Sequence, residues 1–257
     1  AKVEVPPHLR LGLNQDAYSK FVEKGLSKVG FKSDWRGNVK NVKEFREKYP
    51  ESLSWIAEQY GDRNTGYDLA EAIKVWLKNN NAEDKSVCEV LKERGWEGIG
   101  PPEVFLSHVQ AESPSQTLNA MWCIDNRFGP ARKGTKHNGS KIWVDYFCLR
   151  QLRNDFQTQQ VEQLIRKAGA VYVYMDGEGT GSSYPTRSVC VFELAAAVEN
   201  GATLMIEAPK TGPLQPPVCG CWPFGAFCGC DGLPDYTIDA ANATARHAED
   251  KAKVDKY

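Results

Sequence analysis

The sequence has no excess of charge of either sign. Its 257 residues carry 32 basic and 33 acidic side chains, with 17 against 16 over residues 1–100 and 15 against 17 over 101–257. A chain that grips a phosphate backbone normally carries a basic domain, so nucleic acid is excluded as a partner. Long hydrophobic runs are also missing. The longest, Val189–Val198, is broken by Glu193 and is half as long as a membrane helix, so no membrane insertion is expected. There is no Gly-x-Gly-x-x-Gly after the first expected strand and no phosphate loop ending in Gly-Lys-Ser/Thr. No internal repeat is present. Ala1 stands first in place of Met, which reads as a processed terminus or a cut boundary, and no signal or transit segment indicates a compartment.

What is present is ordinary for a globular protein: 41% apolar and 25% charged residues, in a chain long enough for one large domain or two small ones. The chain has eight cysteines, yet it is too long to need a disulfide scaffold. Cys88, Cys123, Cys148 and Cys190 lie singly in apolar patterns and are expected as reduced, buried thiols. That usage suits a reducing compartment such as the cytoplasm, or a processed organellar protein.

Residues 1–98 read as an all-helical N-terminal domain. Ala17, Phe21, Val22, Leu26 and Val29 form one stripe over residues 16–29, ahead of Gly30. Further helices are expected over Asn41–Tyr49, from Leu53, over Tyr67–Asn79, and over Glu83–Arg94 before Gly95. Trp35, Trp55, Tyr60, Tyr67, Trp76 and Trp96 read as core and interface residues. Residues 99–257 change period. Glu103–Ser107, Lys141–Phe147, Ala170–Met175 and Ala202–Ile206 are short β-branched and aromatic runs, with helices expected over Ser113–Trp122, Gln157–Lys167 and Thr186–Asn200. This alternation predicts an α/β domain with a parallel sheet of four to five strands, the last at Tyr236–Asp239 before a helix over Ala240–Lys253. Between them, 15 of the 26 residues of Pro209–Pro234 are Gly, Pro or Cys, which makes a long loop. Its Cys219, Cys221, Cys228 and Cys230 can close a zinc site, form two bridges or stay free. The single-residue gaps fall short of usual zinc spacing, and no metal ligand is assigned.

Ligands of open parallel sheets bind beyond the carboxyl ends of the strands. Ser107 and His108, Asp145–Cys148 and the start of the helix holding Glu193 are therefore the places to inspect. Gly177, Gly179 and Gly181 follow a strand as either a phosphate cradle or a flexible loop. Glu193 is the sole carboxylate of Ser188–Val198, in a helix whose faces are nearly all apolar. A carboxylate so placed has a raised pKa and marks a candidate site, unless it simply reaches water from a rim. The apolar helix is expected to be covered by the N-terminal helices.

Three segments carry a resemblance: PEVFLSH (Pro102–His108), KIWVDYFCLRQ (Lys141–Gln151) and TRSVCVFEL (Thr186–Leu194). Together, over about Gly100–Lys253, they resemble the Toll/interleukin-1 receptor (TIR) domain, most of all the TIR-like domains of algal and other protist proteins. The plant pattern Ser-x-Trp-Cys-x-x-Glu-Leu falls on Ser188, Cys190, Glu193 and Leu194, with Val189 in the tryptophan position. The resemblance implies a flavodoxin-like sheet and, for TIR domains that cleave NAD, a hydrolase whose catalytic glutamate is Glu193. It implies Ser107, His108, Asp145, Phe147, Arg187, Ser188 and Cys190 as residues that hold NAD, which is a substrate, with no cofactor required. Many TIR domains instead act as scaffolds without catalysis, so protein partners or self-association are the alternative expectation.

Overall fold

A computed structural model of the chain describes residues 4–29, 65–128, 139–153, 155–175 and 184–207. The expected elements over Asn41–Tyr49, from Leu53, and over Tyr236–Asp239 and Ala240–Lys253 lie outside the described residues. So do Trp35, Trp55 and Tyr60, the glycines 177, 179 and 181, and the loop Pro209–Pro234 with its four cysteines.

The helices begin where the sequence supplies caps. Asn14 accepts from Ala17 N at 2.9 Å and starts α1 (Gln15–Lys20). Winding then loosens to a π turn over Phe21–Gly25 and tightens to a 3-10 turn over Leu26–Val29. The expected single helix over 16–29 is therefore three turns of different pitch, which still bury Ala17, Phe21, Val22 and Leu26. Thr65 and Asp68 form a reciprocal capping box at α2 (Gly66–Asn79), and Ser86 and Glu89 form another at α3 (Val87–Glu93). Ser113 and Gln116 cap α4 (Pro114–Phe128) in the same manner. The amphipathic α6 (Thr158–Ala168) stops at Gly169, whose φ of 70° suits a residue without Cβ. The apolar α7 (Ser188–Glu199) follows a 3-10 turn over Tyr184–Thr186.

The fold is α/β, with a six-stranded mixed sheet among the described residues. The strands are β1 (Gly12–Leu13), β2 (Ile99–Gly100), β3 (Val104–His108), β4 (Ile142–Trp143), β5 (Ala170–Tyr174) and β6 (Thr203–Glu207), in the order β2-β1-β4-β3-β5-β6. β4, β3, β5 and β6 are parallel, and β1 runs antiparallel to both of its neighbours. An all-helical N-terminal part is thus corrected at Gly12–Leu13, where Leu13 pairs with Ile99 on one side and Ile142 on the other. A two-residue strand carries no periodic signal; the sheet edge of β4 selects it. The run Lys141–Phe147 is corrected too. Only Ile142–Trp143 is strand, and Asp145–Cys148 turns into a short helix, α5, as the Val144 carbonyl accepts from Phe147 N and Cys148 N.

One apolar core spans both sides of residue 98. Phe147 of α5 meets the rings of Tyr18 at 5.1 Å and Phe21 at 5.4 Å, and Phe21 meets Trp76 edge-on at 4.9 Å. α2 and α3 both pack on α5, where Cys88 and Cys148 bring their sulfurs to 3.8 Å. Among the described residues α7 lies on α6, β3, β5 and β6 of its own α/β layers, while the N-terminal helices α1, α2 and α3 pack on α4 and α5. Among the described residues no helix is long and apolar enough to cross a membrane.

A chain that starts near Gly100 loses β1 and uncovers β4 and α5. It is expected to aggregate or to bind a hydrophobic dye, monitored by light scattering and dye fluorescence. A soluble monomer as heat-stable as the full chain would refute this packing.

Candidate functional site

Adjacent residues of an extended strand point to opposite faces, and the last two residues of β3 are both polar and buried: Ser107 and His108. Each one anchors a separate polar cluster at the C-terminal edge of the sheet, with one acid at Ser107 and two at His108.

On one face, Ser107 Oγ lies 2.5 Å from Glu193 Oε2 and 2.5 Å from the Tyr184 hydroxyl. Tyr184 in turn donates to the Cys190 carbonyl at 3.2 Å, which ties the 3-10 turn to α7. Glu193 is only 6% exposed. Burial pushes its pKa from 4.5 up to about 8; the Ser107 hydrogen bond opposes the shift, the Asp145 charge adds to it, and His108 opposes it. The carboxyl is therefore mostly neutral at pH 7. Ser107 can accept from it in that state and donate to it once it ionises.

On the other face, His108 bridges two carboxylates, with Nδ1 at 2.7 Å from Glu112 Oε1 and Nε2 at 3.2 Å from Asp145 Oδ1. Burial works against an imidazolium, but the two acids outweigh it and hold the His108 pKa well above its usual range. Burial also raises Glu112, against the pull of His108 and of the Thr117 hydroxyl, which donates to Oε1 at 2.6 Å. Tyr146 donates to Thr117 at 2.9 Å, and Tyr18 lies 3.3 Å from the Tyr146 hydroxyl. Asp145 is fixed by Tyr146 N at 2.6 Å and by the Gln110 side-chain amide. Its side chain remains 23% exposed, the most open carboxylate of this cluster.

These positions bring most of the expected site residues to one edge. Ser107 meets Glu193, His108 meets Asp145, and Cys190 donates its thiol to the His108 carbonyl at 3.5 Å. Arg187 donates to the Tyr67 hydroxyl, and Ser188 is buried with no partner for its Oγ. Phe147 stands apart: it is fully buried among Tyr18, Phe21 and Tyr146 and packs the core. Sequence reasoning missed Glu112, Gln110, Tyr184 and Tyr67. Glu112 had a faint signal as an acid four residues after His108 and directly before the Ser113-x-x-Gln116 cap. Tyr67 had none, because only the tertiary fold brings α2 to Arg187.

Comparison of the chain with protein-family models, with curated proteins and with solved structures gives no match.

The arrangement offers a carboxyl that titrates near neutrality beside a hydroxyl, with an imidazolium close by. Two substitutions should have opposite effects on stability. Ionising Glu193 in place costs roughly 4–5 kcal/mol, given a shift from 4.5 to about 8. A raised carboxyl pKa means that the fold holds a proton the unfolded chain releases, so this contribution is intact below about pH 4.5 and is lost as pH rises through about 8. Glu193→Gln should therefore gain on the parent as pH rises from 5 to 9, read as unfolding midpoints in urea. His108→Ala leaves Glu112 and Asp145 without their cation and should cost about 3–5 kcal/mol at neutral pH. A Glu193→Gln protein whose relative stability does not change with pH would show that the carboxyl is not perturbed.

Proposed function

We propose that the chain is a TIR-like NAD glycohydrolase, cleaving the nicotinamide–ribose bond on a flavodoxin-like sheet. The parallel strands lie in the order second-first-third-fourth, which matches the flavodoxin-like arrangement as far as it goes. The observation that carries the reading is the 2.5 Å contact between Ser107 and Glu193. Two segments that resemble TIR motifs, far apart in the chain, meet there at the carboxyl edge of the sheet, where open α/β folds hold ligands.

In the reaction the glycosidic C–N bond breaks with its electron pair going to nicotinamide, which leaves neutral, and the ribose becomes an oxocarbenium ion. A fixed carboxylate beside that carbon stabilises the developing positive charge. Water then adds, and its proton passes to Glu193, whose raised pKa suits it as an acceptor. The cationic nicotinamide ring of bound NAD favours the ionised form of Glu193, and the Ser107 hydroxyl donates to that form. Desolvation makes the free carboxyl neutral; substrate charge restores it at the moment of use.

A second reading keeps the protein as a non-catalytic scaffold that acts through protein contacts. It is favoured by the burial of Glu193, whose carboxyl is already bound within the fold. Nicotinamide release from NAD distinguishes the two. Glu193→Gln should remain folded and lose activity by about 10² to 10³, measured at high protein concentration because TIR catalysis elsewhere depends on assembly. The parent's kcat/KM should rise about tenfold per pH unit and level off above about 8, since the ionised carboxylate is the active form. No nicotinamide, together with no NAD-induced rise in Tm, would favour the scaffold. Equal activity in the parent and Glu193→Gln would move the catalytic role to another residue.

A further inference from the structure

We infer that Cys88 and Cys148 are a site of oxidative modification, at which a hydroperoxide converts two buried thiols into a disulfide that clamps α3, from the N-terminal part, to α5. Their sulfurs lie 3.8 Å apart, although the residues are 60 positions apart in the chain. A disulfide spans about 2.05 Å, so the 3.8 Å contact has only about 1.8 Å left to close. The two segments are already held together. α3 packs on α5, and Arg150 forks onto Glu89 at 3.1 and 2.8 Å just beyond the two cysteines. Cys148 is fixed within its own turn: its N–H donates to the Val144 carbonyl at 2.9 Å, and the Val144 N–H donates to its sulfur at 3.4 Å. That leaves Cys88 as the donor in the sulfur–sulfur contact. Burial, with Cys148 beside it, pushes the Cys88 pKa well above the usual thiol range, so the proton stays in place.

The chemistry of the pair favours a bridge over a metal. Two thiolates alone do not complete a tetrahedral zinc site, and no group of three or more potential ligands occurs among the described residues. Cys123 and Cys190 turn to oxygen instead, Cys123 to the Glu207 carboxylate at 3.7 Å and Cys190 to the His108 carbonyl at 3.5 Å. Cys88 and Cys148 are both fully buried, which shields them from bulky reagents at rest. α3 has only seven residues, and a short helix opens locally at far less cost than the whole fold, enough to admit a molecule as small as hydrogen peroxide. The Cys148 sulfur attacks one peroxide oxygen and the O–O bond breaks; the other oxygen leaves with the electron pair and the Cys148 proton as water, and Cys148 becomes a sulfenic acid. The Cys88 sulfur then attacks the Cys148 sulfur. The S–O bond breaks, and hydroxide leaves with the Cys88 proton as a second water. The two thiols together give up two electrons, which reduce one peroxide. α5 is a single turn that also carries Asp145, so the bridge fastens the segment behind the His108 cluster to α3.

The test exposes the folded, fully reduced chain to hydrogen peroxide, blocks the remaining thiols, digests without reductant and maps the peptides by mass spectrometry. A Cys88–Cys148 cross-link should form, lighter than the reduced pair by its two thiol hydrogens, and dithiothreitol should reverse it. Closing a loop of 60 residues should raise Tm by on the order of 5–10 °C. Hydrogen exchange in α3 should slow about tenfold or more, because the helix can no longer open away from α5. Cys88→Ala and Cys148→Ala should each lose the rise in Tm caused by peroxide, whereas Cys123→Ala should keep it. The inference is wrong if Cys88 and Cys148 remain free thiols in the folded protein, if they oxidise separately to sulfinic acids, if the cross-link appears only in urea, or if Tm fails to rise with it. Mapping uses the parent chain, so a variant that does not fold leaves this result intact. No NAD enters the experiment, and its outcome is independent of the glycohydrolase reading.

Discussion

Alternation along a single strand sets the character of this molecule. Because Ser107 and His108 are neighbours in β3, their side chains leave on opposite faces, Ser107 to the single carboxyl of Glu193 and His108 to the pair Glu112 and Asp145. The sheet separates the two clusters without insulating them: the charges of Asp145 and His108 both reach Glu193, with opposite effects on it. One carboxyl is kept neutral by burial and one imidazole is kept charged by its acids. A slip of one residue in the register of β3 would exchange the two and destroy both.

The surrounding helices are arranged to keep these groups dry. α7 brings Glu193 to Ser107 from one side, while α4 supplies Thr117, α5 supplies Asp145 and Tyr146, and α1 supplies Tyr18 on the other. The hydroxyls of Thr117, Tyr146 and Tyr18 line up behind Glu112, so the acid is stabilised by a chain of dipoles instead of by water. The aromatic rings of Tyr18, Phe21 and Phe147 fill the space between that chain and α2. The N-terminal residues therefore build the wall of the acid cluster as well as the edge of the sheet.

Much of this was legible in the chain. Gly95 marked the end of α3, and three of the four parallel strands, β3, β5 and β6, followed from β-branched runs within one residue of their ends. Glu193 stood out because one carboxylate in Ser188–Val198 breaks an otherwise apolar helix. What escaped was set by contacts distant in sequence. Leu13 is strand because Ile99 and Ile142 flank it, and nothing in Leu11–Asn14 alone distinguishes it from loop. Lys141–Phe147 read as one strand because aromatic residues suit both a strand and a buried helical turn, and the Val144 carbonyl decides between them by accepting two N–H groups. Tyr67 read as a core aromatic, and only the position of Arg187 gives its hydroxyl a task.

The place of β1 also bears on how the protein is made. A strand at Gly12–Leu13 leaves the ribosome before its partners Ile99, Gly100 and Ile142 are translated. Tyr18, Phe21 and Leu26 share that delay, since α2 and α5 provide the surfaces that bury them. Contacts of such long sequence separation form slowly because the intervening loop must first close. The segment that holds β1 and α1 is thus made before the surfaces that bury it, and during the interval its apolar stripe is exposed to non-native contacts.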